Sequence, residues 1–226
     1  MNLGIFVVFG AILGICIGKN CPSVYRRFSS SHTFCRSSSC KVESGGKVSE
    51  SDKQVILKAH NELRNKLALG QEKQYQSLPS AANMMKLEWD DELAAVAQAH
   101  ANLCKFDHDA NEQRAVENFS VGQNLQMAKG TLSIDWNGIR SWYTGEVQYF
   151  FPQYIKPFQY QKAYGHFSQV IWAETWKIGC GVSGFTENNV KKVLYTCNYG
   201  PAGNLGEAYK VGPPCSACPD NTKCSS

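Results

Sequence analysis

Apolar residues recur every fourth position at Val55, Ala59, Leu63 and Leu67. That spacing predicts an amphipathic helix. Ser51 and Gln54, three apart, read as the capping box that opens it, and Gly70 reads as its C-terminal stop. A second helix is expected after Asp90 or Asp91, with Leu93, Val96, Ala97, Ala101 and Cys104 on one face. A third is expected from about Asp135 to Phe150, with Ile139, Trp142 and Tyr143 on its apolar side and Pro152 and Pro157 beyond it. The period then changes. Ile178, Cys180 and Val182 alternate, and so do Val193, Tyr195 and Cys197, and Glu187-Asn188-Asn189 lies between the two runs. This is the pattern of two antiparallel strands joined by a turn. Helices come first and strands later, so the fold class is α+β rather than a doubly wound sheet.

Composition narrows the class. The chain has 226 residues, 43% of them hydrophobic, which is enough to build a core and excludes a disordered chain. The length suits one sizeable domain with appendages. Basic and acidic residues number 23 and 19, a net charge of +4, and the basic ones form no run of five. Nucleic acid is therefore not an expected partner. Ten cysteines point to an oxidising compartment and a stapled, secreted protein, expected to be a monomer.

The chain divides unequally. Leu3 to Ile17 is an uncharged apolar run, too short to span a bilayer comfortably but suited to the core of a signal peptide covering residues 1–18. Residues 19–50 are rich in Ser, Gly and Cys and read as an extension tied down by disulfides. Residues 51–209 hold the periodic segments. Residues 210–226 form a short tail with three cysteines, and no later stretch could span a membrane.

Removing Cys16 with the signal leaves Cys21, Cys35, Cys40, Cys104, Cys180, Cys197, Cys215, Cys218 and Cys224, an odd number. Cys180 and Cys197 are well placed to join the two predicted strands. Cys215-x-x-Cys218 is better read as a structural disulfide than as a redox or zinc pair, because no second pair stands at zinc spacing. How the three tail cysteines share their bonds stays open. Asn118-Phe119-Ser120 is a glycosylation sequon.

Four ordered motifs carry a family resemblance. Gly165-His166-Phe167-Ser168-Gln169-Val170-Ile171-Trp172-Ala173-Glu174-Thr175 closely resembles the first signature of the CAP superfamily, which groups cysteine-rich secretory proteins, antigen 5 and plant pathogenesis-related proteins. Leu194-Tyr195-Thr196-Cys197-Asn198-Tyr199-Gly200-Pro201-Ala202-Gly203-Asn204-Leu205 resembles the second. His60-Asn61-Glu62-Leu63-Arg64 and Gly122-Gln123-Asn124-Leu125 look like its HNxxR and G-[EQ]-N motifs. The cysteine-rich extension is similar to that of venom allergen 5 proteins. The resemblance implies a three-layer α-β-α sandwich stapled by disulfides. It implies the bridges Cys21–Cys35, Cys40–Cys104 and Cys180–Cys197, and a fourth family bridge that has neither partner here.

The resemblance also implies a cleft with two histidines and two acids. By motif these are His108, Gln123, Glu146 and His166, with Gln123 standing where an acid can stand. Trp142-Tyr143-Thr144-Gly145-Glu146 is one residue longer than the usual W-x-x-E, and placing Tyr143 on the aromatic position restores the spacing. His108 and His166 are candidate ligands for a divalent metal such as zinc, through neutral imidazole nitrogens. With one carboxylate fewer, the site is a weak hydrolytic base. Ser168 lies two residues after His166, but no sequence feature supplies an oxyanion hole. His60 and Arg64 read as a structural pair on the first helix, and His100 as packing or surface. Three functions follow for weighing. The leading one is a secreted, non-enzymatic protein of the venom allergen 5 type that binds a protein target or a small apolar ligand, with no cofactor required. The others are a secreted peptidase using His166 with Glu146, and an ion-channel modulator of the cysteine-rich secretory type, for which the tail is too short.

Overall fold

The computed structural model describes residues 21–220 and 222–225; the expected signal peptide, residues 1–18 with Cys16, lies outside them. The first long helix, α2 (Glu50–Ala68), follows a short α1 (Ser23–Phe28) and a two-residue strand β1 (Ser44–Gly45). Its capping box is Ser49 with Asp52 rather than Ser51 with Gln54, since the Ser49 hydroxyl accepts from Asp52 N–H and Asp52 accepts from Ser49 N–H. The buried face also differs from the fourfold row. Val55 is exposed, while Ile56, Ala59, His60, Arg64 and Leu67 are buried. A strict step of four drifts about 40° around a helix at each repeat, so a buried row must mix steps of three and four.

Strand β2 (Glu88–Trp89) leads into α3 (Asp91–Ala101), which Asp90 caps by accepting from Leu93 N–H at 2.8 Å. The expected third helix is broken. Trp136–Arg140 and Val147–Tyr149 are 3₁₀ turns, and only α4 (Ser141–Thr144) is α-helical. The apolar spacing still holds, with Trp136, Ile139, Trp142, Tyr143, Val147 and Phe150 all buried. Glu146 therefore sits just past α4 rather than on a continuous helix. A last helix, α5 (Gly165–Val170), carries the first signature motif.

The sheet is mixed. Strand β4 (Lys177–Glu187) pairs antiparallel with β5 (Val190–Gly200) around Asn188 and Asn189, both with positive φ, as a tight hairpin turn requires. Strand β3 (Gly122–Lys129) adds antiparallel to the far side of β5, and β1 and β2 pair with the other edge of β4. Cys180 faces Cys197 in register and is bonded to it. Ile178, Cys180 and Val182 join α2, α4 and α5 in the main core. The opposite face of β4 carries Gly179 and Gly181, against which α3 lies. A Cβ on Gly179 would fall 2.1 Å from Ala94 N, and one on Gly181 would fall 2.3 Å from the Gln98 backbone. The result is helix, sheet, helix: a three-layer α-β-α sandwich.

Disulfides tie down the outer segments. Cys21–Cys35 closes the extension, and Cys40–Cys104 joins it to the turn after α3. In the tail the bonded pair is Cys218–Cys224 and not Cys215–Cys218, which leaves Cys215 free. The reason is the path of the chain: Cys224 bridges to Met85, so the tail turns back on itself and brings Cys224 to Cys218.

Candidate functional site

Residue alternation along the edge strand β3 sets the site. Neighbours on a strand point to opposite faces, and paired residues share one. Gln123 pairs with Asn198 and faces α3, whereas the next residue, Asn124, faces α5. Each reaches one of the two candidate histidines. His108 Nδ1–H donates to Gln123 Oε1 at 2.9 Å, and Gln123 Nε2–H donates to Asn198 Oδ1 at 3.1 Å. Asn124 Nδ2–H donates to the His166 carbonyl at 3.1 Å and to the Tyr199 hydroxyl at 3.3 Å.

His166 is held by Glu146. Its Nδ1–H donates to Glu146 Oε1 at 2.6 Å, and Glu146 Oε2 accepts from His166 N–H and Phe167 N–H, both at 2.9 Å. The carboxylate thus fixes the start of α5 as well as the ring, and Trp142 stacks on the imidazole with a centroid distance of 6.2 Å. Both imidazoles give Nδ1–H to an oxygen, which leaves Nε2 as the lone-pair nitrogen on each. That is the donor chemistry zinc takes. A cage is not assembled, however: His108, Glu146 and His166 do not bring three ligand atoms within 4.8 Å of one another, and both carboxylate oxygens of Glu146 are already committed.

Ser168 is not poised as a nucleophile. Its side chain is fully buried, and its hydroxyl lies at hydrogen-bonding distance from Tyr164 O at 2.9 Å and Asn204 Oδ1 at 2.6 Å. His60 and Arg64 do not bond to each other. His60 Nδ1–H donates to Ile56 O, and its Nε2 accepts from the Tyr199 hydroxyl, both at 2.9 Å. Burial pushes the His60 imidazole down to about 4, and nearby Arg64 and Arg140 act in the same direction. Arg64 donates to the carbonyls of Met85, Val170, Trp172, Ala173 and Thr175, tying α2 to the segment after α5. His100 is packing: Nε2–H donates to Asp107 O, Nδ1 accepts from Thr196, and burial lowers its basicity.

A groove of about 1080 Å³ is lined by His108, Gln123, Arg114, Gln169, Asn204 and Leu205 among others, but not by His166 or Glu146. Residues the sequence reading missed hold Asp109, Arg114 and Ala115 of the groove wall from behind. His32 of the extension is buried, stacks on Tyr25, and donates Nε2–H to Ala115 O at 2.9 Å. Thr33 donates to Asp109 Oδ2 at 2.7 Å, and Asp109 also meets Arg114 at 3.1 Å. These residues carry no periodic signal, and only pairing across some 76 residues of chain reveals them. Asn198, buried with no partner for its Nδ2 among the described residues, was visible only as part of a signature.

Residues 57–199 match the family model described as CAP: Cysteine-rich secretory protein family. The chain belongs to this family. It is similar to a cysteine-rich venom protein of Tityus serrulatus, with 68% identity over the whole chain and 56% of that protein. It is 45% identical to a venom allergen 5 of the same organism over 97% of the chain and 55% of that protein. The chain thus spans little more than half the length of these relatives. The solved structure of NaASP2 with Zn2+ matches 78% of the chain and 93% of its own, at 31% identity and a TM-score of 0.59. The family fold expected from the four motifs is therefore present, with the sandwich and its disulfides.

Proposed function

We propose that this chain is a secreted, non-enzymatic venom protein of the venom allergen 5 type. In this reading residues 1–18 are the signal peptide, residues 51–209 form the CAP domain, and residues 19–50 and 210–226 are its accessories. The groove beside His108 receives a segment of a protein target or a small apolar ligand. Venom names among relatives of up to 68% identity support the setting. No helix among the described residues is long and apolar enough to cross a membrane.

One observation carries the non-enzymatic reading. His108, which would need a poised partner to act as a base, is paired with the neutral amide of Gln123, which cannot hold a proton in exchange. The reactive hydroxyl beside His166, that of Ser168, is buried and engaged elsewhere. A peptidase screen with mixed peptide libraries and purified native protein should give no turnover above buffer; saturable cleavage lost in His166→Ala would overturn the reading. Capture from target tissue, with mass spectrometry of retained proteins and lipids, would identify the ligand.

Zinc is not required in this reading. The Nε2 atoms of His108 and His166 would be the ligands if it binds, and a bound ion would supply a positive centre for an anionic group. Because only neutral imidazole coordinates, affinity should weaken as pH falls. Titration calorimetry with His108→Ala/His166→Ala decides this: unchanged affinity would place the metal elsewhere.

A further inference from the structure

The C-terminal segment folds back along residues 81–86. Ala82 N–H donates to Lys210 O at 2.7 Å, and Ala217 N–H donates to Ala82 O at 2.9 Å. Lys86 N–H donates to Lys223 O at 2.7 Å, and Ser225 N–H donates to Met84 O at 2.8 Å. Both ends of the tail are pinned to the same strip of backbone, so the turn between them must close. Closure gathers three sulfurs: the Sγ atoms of Cys215, Cys218 and Cys224 lie within 4.8 Å of one another. Cys218 and Cys224 are bonded, and Cys215 is the free thiol among the described residues. All three residues are half-buried, and Cys224 also lines an open groove of about 660 Å³ beside α2.

A thiolate within reach of a disulfide sulfur displaces its partner. We propose that the tail is a thiol–disulfide exchange site in which Cys215, Cys218 and Cys224 share one disulfide and one thiol. The Cys215 thiolate attacks Cys218 Sγ. The Cys215–Cys218 bond forms, the Cys218–Cys224 bond breaks, and Cys224 leaves as a thiolate that takes up the proton Cys215 gave up. Attack on Cys224 Sγ instead forms Cys215–Cys224 and releases Cys218. Neither step consumes an oxidant or a reductant. The first delivers the thiol to Cys224, on the groove wall. There the thiolate can attack a disulfide of a partner protein, forming a mixed disulfide and releasing a partner thiol. This proposal is independent of the cleft and of the reading given to it.

The test follows where the thiol resides. Native protein is incubated at about pH 8, near the ordinary thiol range. It is sampled over hours, trapped with N-ethylmaleimide and mapped by peptide mass spectrometry without reduction. Label is expected on all three tail cysteines, summing to one thiol across the three. Cys215→Ser should carry no label on Cys218 or Cys224. Cys224→Ser should show a Cys215–Cys218 bond and no tail thiol. Label confined to Cys215 at every time, two free thiols in Cys224→Ser, or a chain-to-chain bond through Cys215 would each overturn the proposal.

Discussion

Replacing His60 by Gln should flatten the acid side of the stability curve. The ring is buried between α2 and β5, with its Nδ1–H on Ile56 O and its Nε2 on the Tyr199 hydroxyl. Burial holds its basicity at about 4, against an ordinary value of 6.5. Below about pH 6.5 the unfolded chain binds a proton that the folded chain refuses, so the unfolded state gains as pH falls. The loss builds from about 6.5 down to about 4; it is absent above that window and stays constant below it. The gap of about 2.5 pH units, at about 1.36 kcal/mol per unit, gives about 3 kcal/mol lost by the wild type across it. Gln can still donate to one neighbour and accept from the other, but it does not titrate. The variant should be less stable than wild type by about 1–2 kcal/mol at pH 7, from imperfect hydrogen bonds. That deficit should shrink, and then reverse, as pH approaches 4. Urea unfolding followed by tryptophan fluorescence, disulfides intact, measures both chains. Carboxylates such as Glu88, held low by Lys223 and Lys177, titrate alike in the two and cancel in the difference. A wild-type minus variant difference that stays constant from pH 7 to pH 4 would refute the reasoning.

Other substitutions test the frame. Arg64→Met should cost about 3–5 kcal/mol in urea unfolding, because it strands five carbonyls that share one guanidinium. A loss under about 1 kcal/mol would mean water replaces it. Gly181→Ala should lower the melting temperature through a shift of α3, at a cost of about 1–3 kcal/mol; wild-type melting would show that α3 has slack. Asn118 is exposed, so Asn118→Gln should remove one glycan mass from protein made in secretory cells; an unchanged mass would show the sequon unused.

Legibility in the sequence followed the strength of each local signal. The β4–β5 hairpin was readable because period-two alternation and the Asn188-Asn189 turn agree. Helix α3 was readable from Asp90 and its apolar face. Strand β3 was seen only as the Gly122-Gln123-Asn124-Leu125 motif, because all four residues are buried and no alternation shows. The run from Asp135 to Phe150 kept its helical spacing but folded as 3₁₀ turns around one short helix; spacing marks a buried face and does not fix the turn type. The candidate cleft residues were named by motif, but the opposite facing of Gln123 and Asn124 follows from strand alternation, which required knowing that their motif is a strand. The tie between Thr33, Asp109 and Arg114 has no local signature at all.

The Cys180–Cys197 bond also bears on mechanical load. Pulled apart from its open end, the β4–β5 hairpin can lose only three pairs, Lys177–Gly200, Ile178–Tyr199 and Gly179–Asn198, before the covalent link takes the force. Tearing of the sheet from that end halts there, next to the cleft. The strand pairs beyond it, up to Glu187 and Val190, stay zipped until the sulfur bridge is reduced.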